Sequence, residues 1–135
     1  MTVTKIPNKI KILPPYAFYF CKNVNVTQIG KDPTGNRVLG ALDNDVTYIG
    51  HSAFVAHEIA PTGSEIDTLI IEKSVTYIYN DKNAHNGPFH LYGPESGLQV
   101  EDRTSGGLIS NADTETIEFI FGRKSNEINI IRPTA

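Results

Sequence analysis

The pattern Val-Thr-x-Ile occurs four times in this chain, starting at Val3, Val26, Val46 and Val75, so successive starts lie 23, 20 and 29 residues apart. Recurrence in the twenties is the mark of a chain wound into a solenoid, one coil per repeat. A single small coil cannot bury its own apolar edge, so each must stack on a neighbour. The chain's 135 residues suit one domain with a modest core. The expected architecture is therefore mainly β, a short β-solenoid over residues 2–84 within a single domain, 1–135.

The rest of the chain fills in that expectation. Eleven Gly and eight Pro punctuate it, and sustained three-and-four spacing of apolar residues is missing, which argues against helices. Short β-branched and aromatic runs argue for strands. In the first coil Ile6, Ile10, Leu13, Phe18 and Cys21 are the expected core, joined by Ile49 and Phe54 in the second and Leu69, Ile71 and Ile78 in the third. Two inserted loops are expected, at 30–44 and 60–65, each rich in turn-forming residues. Residues 85–135 are expected to form a β-rich cap. Within it, Ile117, Phe119 and Phe121 alternate, and Ile128 and Ile130 can oppose them across residues 122–126. That pattern predicts a C-terminal β-hairpin closing the exposed end of the stack.

The first coil resembles the BspA-type leucine-rich repeat, whose pattern runs Ile-Pro-x-x-Val-x-x-Ile-Gly-x-x-Ala-Phe-x-x-Cys with a period of about 23 residues. Ile6-Pro7-Asn8, Ile10, Leu13, Tyr16-Ala17-Phe18-Tyr19 and Cys21 fall on its positions, with Pro14 where Gly is usual. In the second coil Val46, Ile49-Gly50 and Ala53-Phe54 match, and His57 stands in the Cys position. In the third, Leu69, Ile71, Val75 and Ile78 match, while Glu72 replaces Pro and Lys82-Asn83 replace Ala-Phe. The resemblance implies a leucine-rich-repeat solenoid that serves recognition or assembly. It carries no shared catalytic residues.

Chemistry-bearing clusters are sparse. A net charge of −3 with scattered Lys and Arg lacks the basic face of a nucleic-acid surface. Cys21 is the single cysteine, which excludes an intrachain disulfide framework and a multi-cysteine zinc site. It either packs as a small hydrophobe or, paired with a base such as His51, acts as a nucleophile. His51, His57, His85 and His90 lack metal-ligand spacing on a common element, and Asp43, Asp45, Asp67 and Asp81 do not form a calcium loop. Glu58, Glu65, Glu72 and Glu95 supply carboxylates with no separation fixed by sequence. No catalytic residue, cofactor or metal is assigned, and the chain is expected not to be an enzyme.

The aromatic residues are more informative. Tyr48 and Tyr77 share one repeat position, and Thr47 and Thr76 the position before it. Stacked coils would set these out as a Tyr/Thr ladder, which is either a contact strip or simple pairing that braces the sheet. The start of the chain lacks the apolar run of a secretory signal, and no window has the length needed to span a bilayer. The expectation is a protein made in the cytoplasm, without membrane insertion or nucleic acid, that binds a protein partner or large assembly and forms homo-oligomers. An accessory virion component, such as a capsid decoration or fibre protein of a phage, fits this. The alternative is an adhesin or lectin-like module that holds a surface glycan or protein through Tyr48, Tyr77 and polar residues in 30–44 and 80–88.

Overall fold

The structure is a computed structural model that describes residues 3–19, 24–32, 42–55 and 66–133. Its strands are short. In chain order they are β1 (Ile12–Leu13), β2 (Gln28–Ile29), β3 (Tyr48–Ile49), β4 (Thr68–Ile71), β5 (Tyr77–Ile78), β6 (Leu98–Asp102) and β7 (Ile128–Ile131). One helix, α1 (Thr114–Phe121), lies between β6 and β7, and a 3₁₀ turn, Ser125–Glu127, leads into β7.

Among the described residues every pairing is parallel. One sheet has the order β1-β3-β5 and the other β2-β4-β6-β7. Up to β6 the chain therefore alternates between the two sheets. Parallel neighbours cannot be joined by a tight hairpin and need a long return path, which here passes through the opposite sheet. The recurrent motif lands in register for two of its four copies, where Tyr48 pairs with Tyr77 and Ile49 with Ile78. Val3 bridges Val24 rather than Val26, and Ile29 pairs with Ile71 in the other sheet.

Two expectations are corrected. The arrangement is α/β-like, two parallel sheets with a single helix, and no closed leucine-rich-repeat solenoid is seen among the described residues. The C-terminal hairpin is absent as well: residues 114–121 are helical, and β7 pairs in parallel with β6 rather than with them. Local capping explains the helix. The Asp113 carboxylate accepts from the Thr116 N–H at 2.7 Å at one end, as an N-cap does. At the other, Gly122 adopts φ 62 and its N–H donates to the Glu118 carbonyl at 2.8 Å, the left-handed C-cap that glycine favours. Ile117, Ile120 and Phe121 then fall on one helical face, and the last two are buried.

One apolar cluster runs from Ile6 to Ile128. Ile6, Leu13, Ile49, Phe54, Leu69, Ile71 and Ile78 belong to it, and Phe18 packs against it partly buried. Ile10 does not: it is 39% exposed. A turn closed by its N–H donating to the Pro7 carbonyl at 3.1 Å precedes β1, and the chain leaves this turn with Ile10 and Ile12 outward and Leu13 inward. Cys21 lies outside the described residues. So do most of the expected loop 30–44 and all of 60–65. The base of the first loop is nonetheless described. There buried Asn44 accepts from the Gly30 N–H at 2.7 Å and donates to the Gln28 carbonyl at 3.3 Å.

A column of phenylalanines ties the turns together. Phe18 stacks on Phe54 at 5.0 Å, Phe54 on Phe89 at 5.2 Å, and Phe89 on Phe121 at 5.7 Å, all within 24° of parallel. It carries the packing begun at the Ala-Phe positions on into α1.

Candidate functional site

The Tyr48 and Tyr77 rings stack at 4.7 Å and 19° on the outer face of the three-stranded sheet, each 37% exposed. Strand alternation puts them outward because Ile49 and Ile78, the next residues, are committed to the core. Ile12 occupies the same column one strand earlier, paired with Tyr48 and 57% exposed. Burial, with added repulsion from Tyr48 and Asp81, raises the Tyr77 phenol above its ordinary pKa. The threonines are engaged differently. The Thr47 hydroxyl donates to the Lys11 carbonyl and that of Thr76 to the Thr47 carbonyl, both at 3.2 Å. They brace the backbone, and the tyrosines and Ile12 make the accessible strip.

Next to this strip lies an aromatic cluster that the sequence reading did not find. His51 and His85 stack face to face at 3.6 Å and 6°. Tyr16 meets His51 edge-on at 5.0 Å, Tyr19 meets Tyr16 edge-on at 5.0 Å, and Tyr79 approaches His51 at 5.2 Å. Burial lowers the His51 pKa first, and the facing charge of His85 lowers it further. No spacing rule joins residues 51 and 85, because the turns after β3 and β5 bring them together.

Tyr16, Tyr19 and His85 line a shallow groove of about 420 Å³ with Ser52, Lys82, Asn83 and Asn86. Two of its residues hold left-handed backbone, Tyr16 at φ 65 and Ser52 at φ 58, which is unfavourable for a bulky side chain. Hydrogen bonds between turns hold them there: Tyr16 N–H to the His51 carbonyl and Ser52 N–H to the Asn86 carbonyl, both at 3.2 Å. The rings and amides give the groove stacking faces and hydrogen-bonding edges together.

The remaining candidates disperse. Ser52 Oγ lies 3.3 Å from His51 Nδ1, and among the described residues no carboxylate contacts that imidazole. His90 is half-buried beside Arg123, where burial and then the guanidinium charge lower its pKa. Asp45 is ion-paired with Lys31 at 2.6 Å, and that bond lowers its pKa. Asp43 accepts from Gln28, Asp81 accepts from the Asn83 N–H, and Asp67 is exposed. Glu72 is buried against Arg103 at 3.1 Å, and Glu95 is exposed. Among the described residues no three His, Cys, Asp or Glu side chains converge on a metal position. His57, Glu58 and Glu65 lie outside those residues. No helix of the described residues is long and apolar enough to cross a membrane.

Set against protein-family models, curated proteins and solved structures, the chain matches none of them.

Proposed function

We propose that this protein is a non-enzymatic interaction module whose contact face is the outer side of the three-stranded sheet. The carrying observation is where its exposed large apolar side chains lie. Of the seven among the described residues, six (Ile10, Ile12, Tyr16, Tyr19, Tyr48 and Tyr77) belong to β1, β3, β5 or the turns flanking β1. Clustering of this kind marks an interaction surface, whereas single exposed hydrophobics carry no message. Tyrosine suits such a face, since it offers large area at small entropic loss and a hydroxyl for directionality. Self-assembly or docking on a larger particle is the expected use. The virion setting follows from the sequence resemblance alone.

The test is light scattering over a range of concentrations, for the native chain and for Tyr48→Ser/Tyr77→Ser. A defined oligomer, or co-migration with a native particle, that the double substitution abolishes while leaving the fold intact supports assembly through this face. A native chain that stays monomeric and ignores the particle overturns it. The adhesin or lectin-like reading has its own support in the groove, where tyrosine rings adjoin Asn83, Asn86 and Lys82. Retention on a glycan array, lost in Tyr16→Ala, would favour that second reading.

A further inference from the structure

Strand β5 is an edge of the three-stranded sheet, and its hydrogen bonds show which backbone groups are left over. The Tyr77 N–H donates to the Thr47 carbonyl at 3.2 Å, and the Tyr79 N–H to the Ile49 carbonyl at 3.0 Å. Alternate residues of a strand direct their N–H and C=O to opposite sides, so both groups of Ile78 face away from β3. Among the described residues neither has a hydrogen-bond partner. An edge of this kind is a template for another strand.

The space beside that edge is bounded. A groove of about 340 Å³ separates β5 from residues 106–112 and α1, with Leu108, Asn111, Thr116 and Ile120 on its far side. None of the residues lining it carries a charge. Its apolar floor is Ile78, Leu108 and Ile120, and Thr76, Asn80, Asn111 and Thr116 supply hydroxyls and amides. A groove of this size has room for a few residues of one extended segment.

We propose that this groove binds an extended, uncharged peptide segment of a partner, added as a fourth strand on β5 through the Ile78 N–H and C=O. Main-chain bonds supply the affinity in strand addition, and the pockets for alternate side chains supply the selectivity. Here those side chains are apolar toward Leu108 and Ile120 and hydroxyl-bearing or amide-bearing toward the rim. The inference concerns a sheet edge and does not depend on the aromatic face being a docking surface.

The probe is a capped Val-Thr-Tyr-Ile-Gly peptide, the sequence of residues 46–50, whose Tyr48 and Ile49 pair with β5 from its other side. The control is the same peptide with its Tyr and Ile amides N-methylated. Amide exchange is followed by NMR on the full chain. In the free protein the Ile78 amide should exchange about tenfold faster than those of Tyr77 and Tyr79. The plain peptide should slow Ile78 by about tenfold and shift residues 106–112, and the methylated peptide should do neither.

A charge in the groove wall should oppose binding. Gly106 is suited to carry it, because a side chain there meets nothing within 4 Å. Gly106→Glu should therefore keep the fold and weaken the peptide by about tenfold. The proposal is overturned if millimolar peptide leaves Ile78 exchange unchanged, if both peptides act alike, or if Gly106→Glu binds as well as the native chain. Protection of Ile78 that rises with protein concentration alone would make the occupant a second copy, and that too overturns it.

Discussion

The Tyr92 hydroxyl donates to the Val26 carbonyl at 2.8 Å, across 66 residues of chain. Tyr92 is fully buried, with its ring against Phe54, and its one polar atom is satisfied by backbone carbonyls, that of Val26 and, at 3.4 Å, that of Val24. Tyr92→Phe should keep the packing and remove these bonds, lowering stability by about 1–3 kcal/mol. Burial, opposed only in part by the bond to Val26, raises the phenol's pKa. The unfolded chain therefore loses this proton first, and the contribution is present below pH of about 10 and lost above it. Chemical denaturation at pH 7 and above pH 10 checks both statements, because the difference between variant and native chain should shrink at the higher pH.

Asp102 should be the most sensitive polar position. Its buried carboxylate accepts from the Thr104 hydroxyl at 2.6 Å and the Thr104, Ile109 and Ser110 N–H groups at 3.1, 3.1 and 2.8 Å. Asp102→Ala leaves several donors unsatisfied and should destabilise by about 3 kcal/mol or more. Burial pushes its pKa up, but the bonds from Thr104 and Ser110 outweigh that and hold it below the ordinary value. This support is present above pH of about 3.9 and lost below it. Urea titrations at pH 6 and pH 3 should show the native chain losing much of its margin over Asp102→Ala.

Gly50→Ala should disturb the joint between β1 and β3. A Cβ there would sit 2.8 Å from the Pro15 nitrogen and 3.0 Å from the Leu13 carbonyl oxygen. Both neighbours are backbone, so the chain itself must shift, at about 1–3 kcal/mol. Thermal unfolding measures this, and a melting temperature equal to that of the native chain would contradict the close approach.

The stacked imidazoles make a pH prediction. The lowered pKa of His51 means that the unfolded chain takes up the proton more readily, so stability falls as pH drops through about 6.5. His85→Ala removes one of the two causes and uncovers the ring. The His51 pKa, followed by NMR titration, should rise. A value unchanged from the native chain would mean that the stack has no electrostatic effect.

Much of the local structure was legible. Val-Thr-x-Ile placed Ile6, Ile49 and Ile78 in the core, and the pairing of Tyr48 with Tyr77 followed from their shared position in the repeat. The alternation of Ile117, Phe119 and Phe121 fits a strand, but Ile117, Ile120 and Phe121 fit a helix equally well. The cap residues Asp113 and Gly122 were the available signal that separates these periods. Ile10 was misplaced because an apolar type in a repeat position does not reveal the turn before it. The His51–His85 stack and the free edge of Ile78 carried no local signal.

By itself the sequence determined which residues are apolar and how often they recur. It also determined which side chains of β3 and β5 point outward, because a period of two leaves one face for the core. Only the tertiary structure decided that the chain returns through a helix to a parallel β7, and which turns converge to bring His51, His85 and the tyrosines together. It also left β5 open beside a neutral groove. The physical reason is range: periodicity and capping act over a few residues, whereas convergence and open edges depend on contacts between segments far apart in the chain.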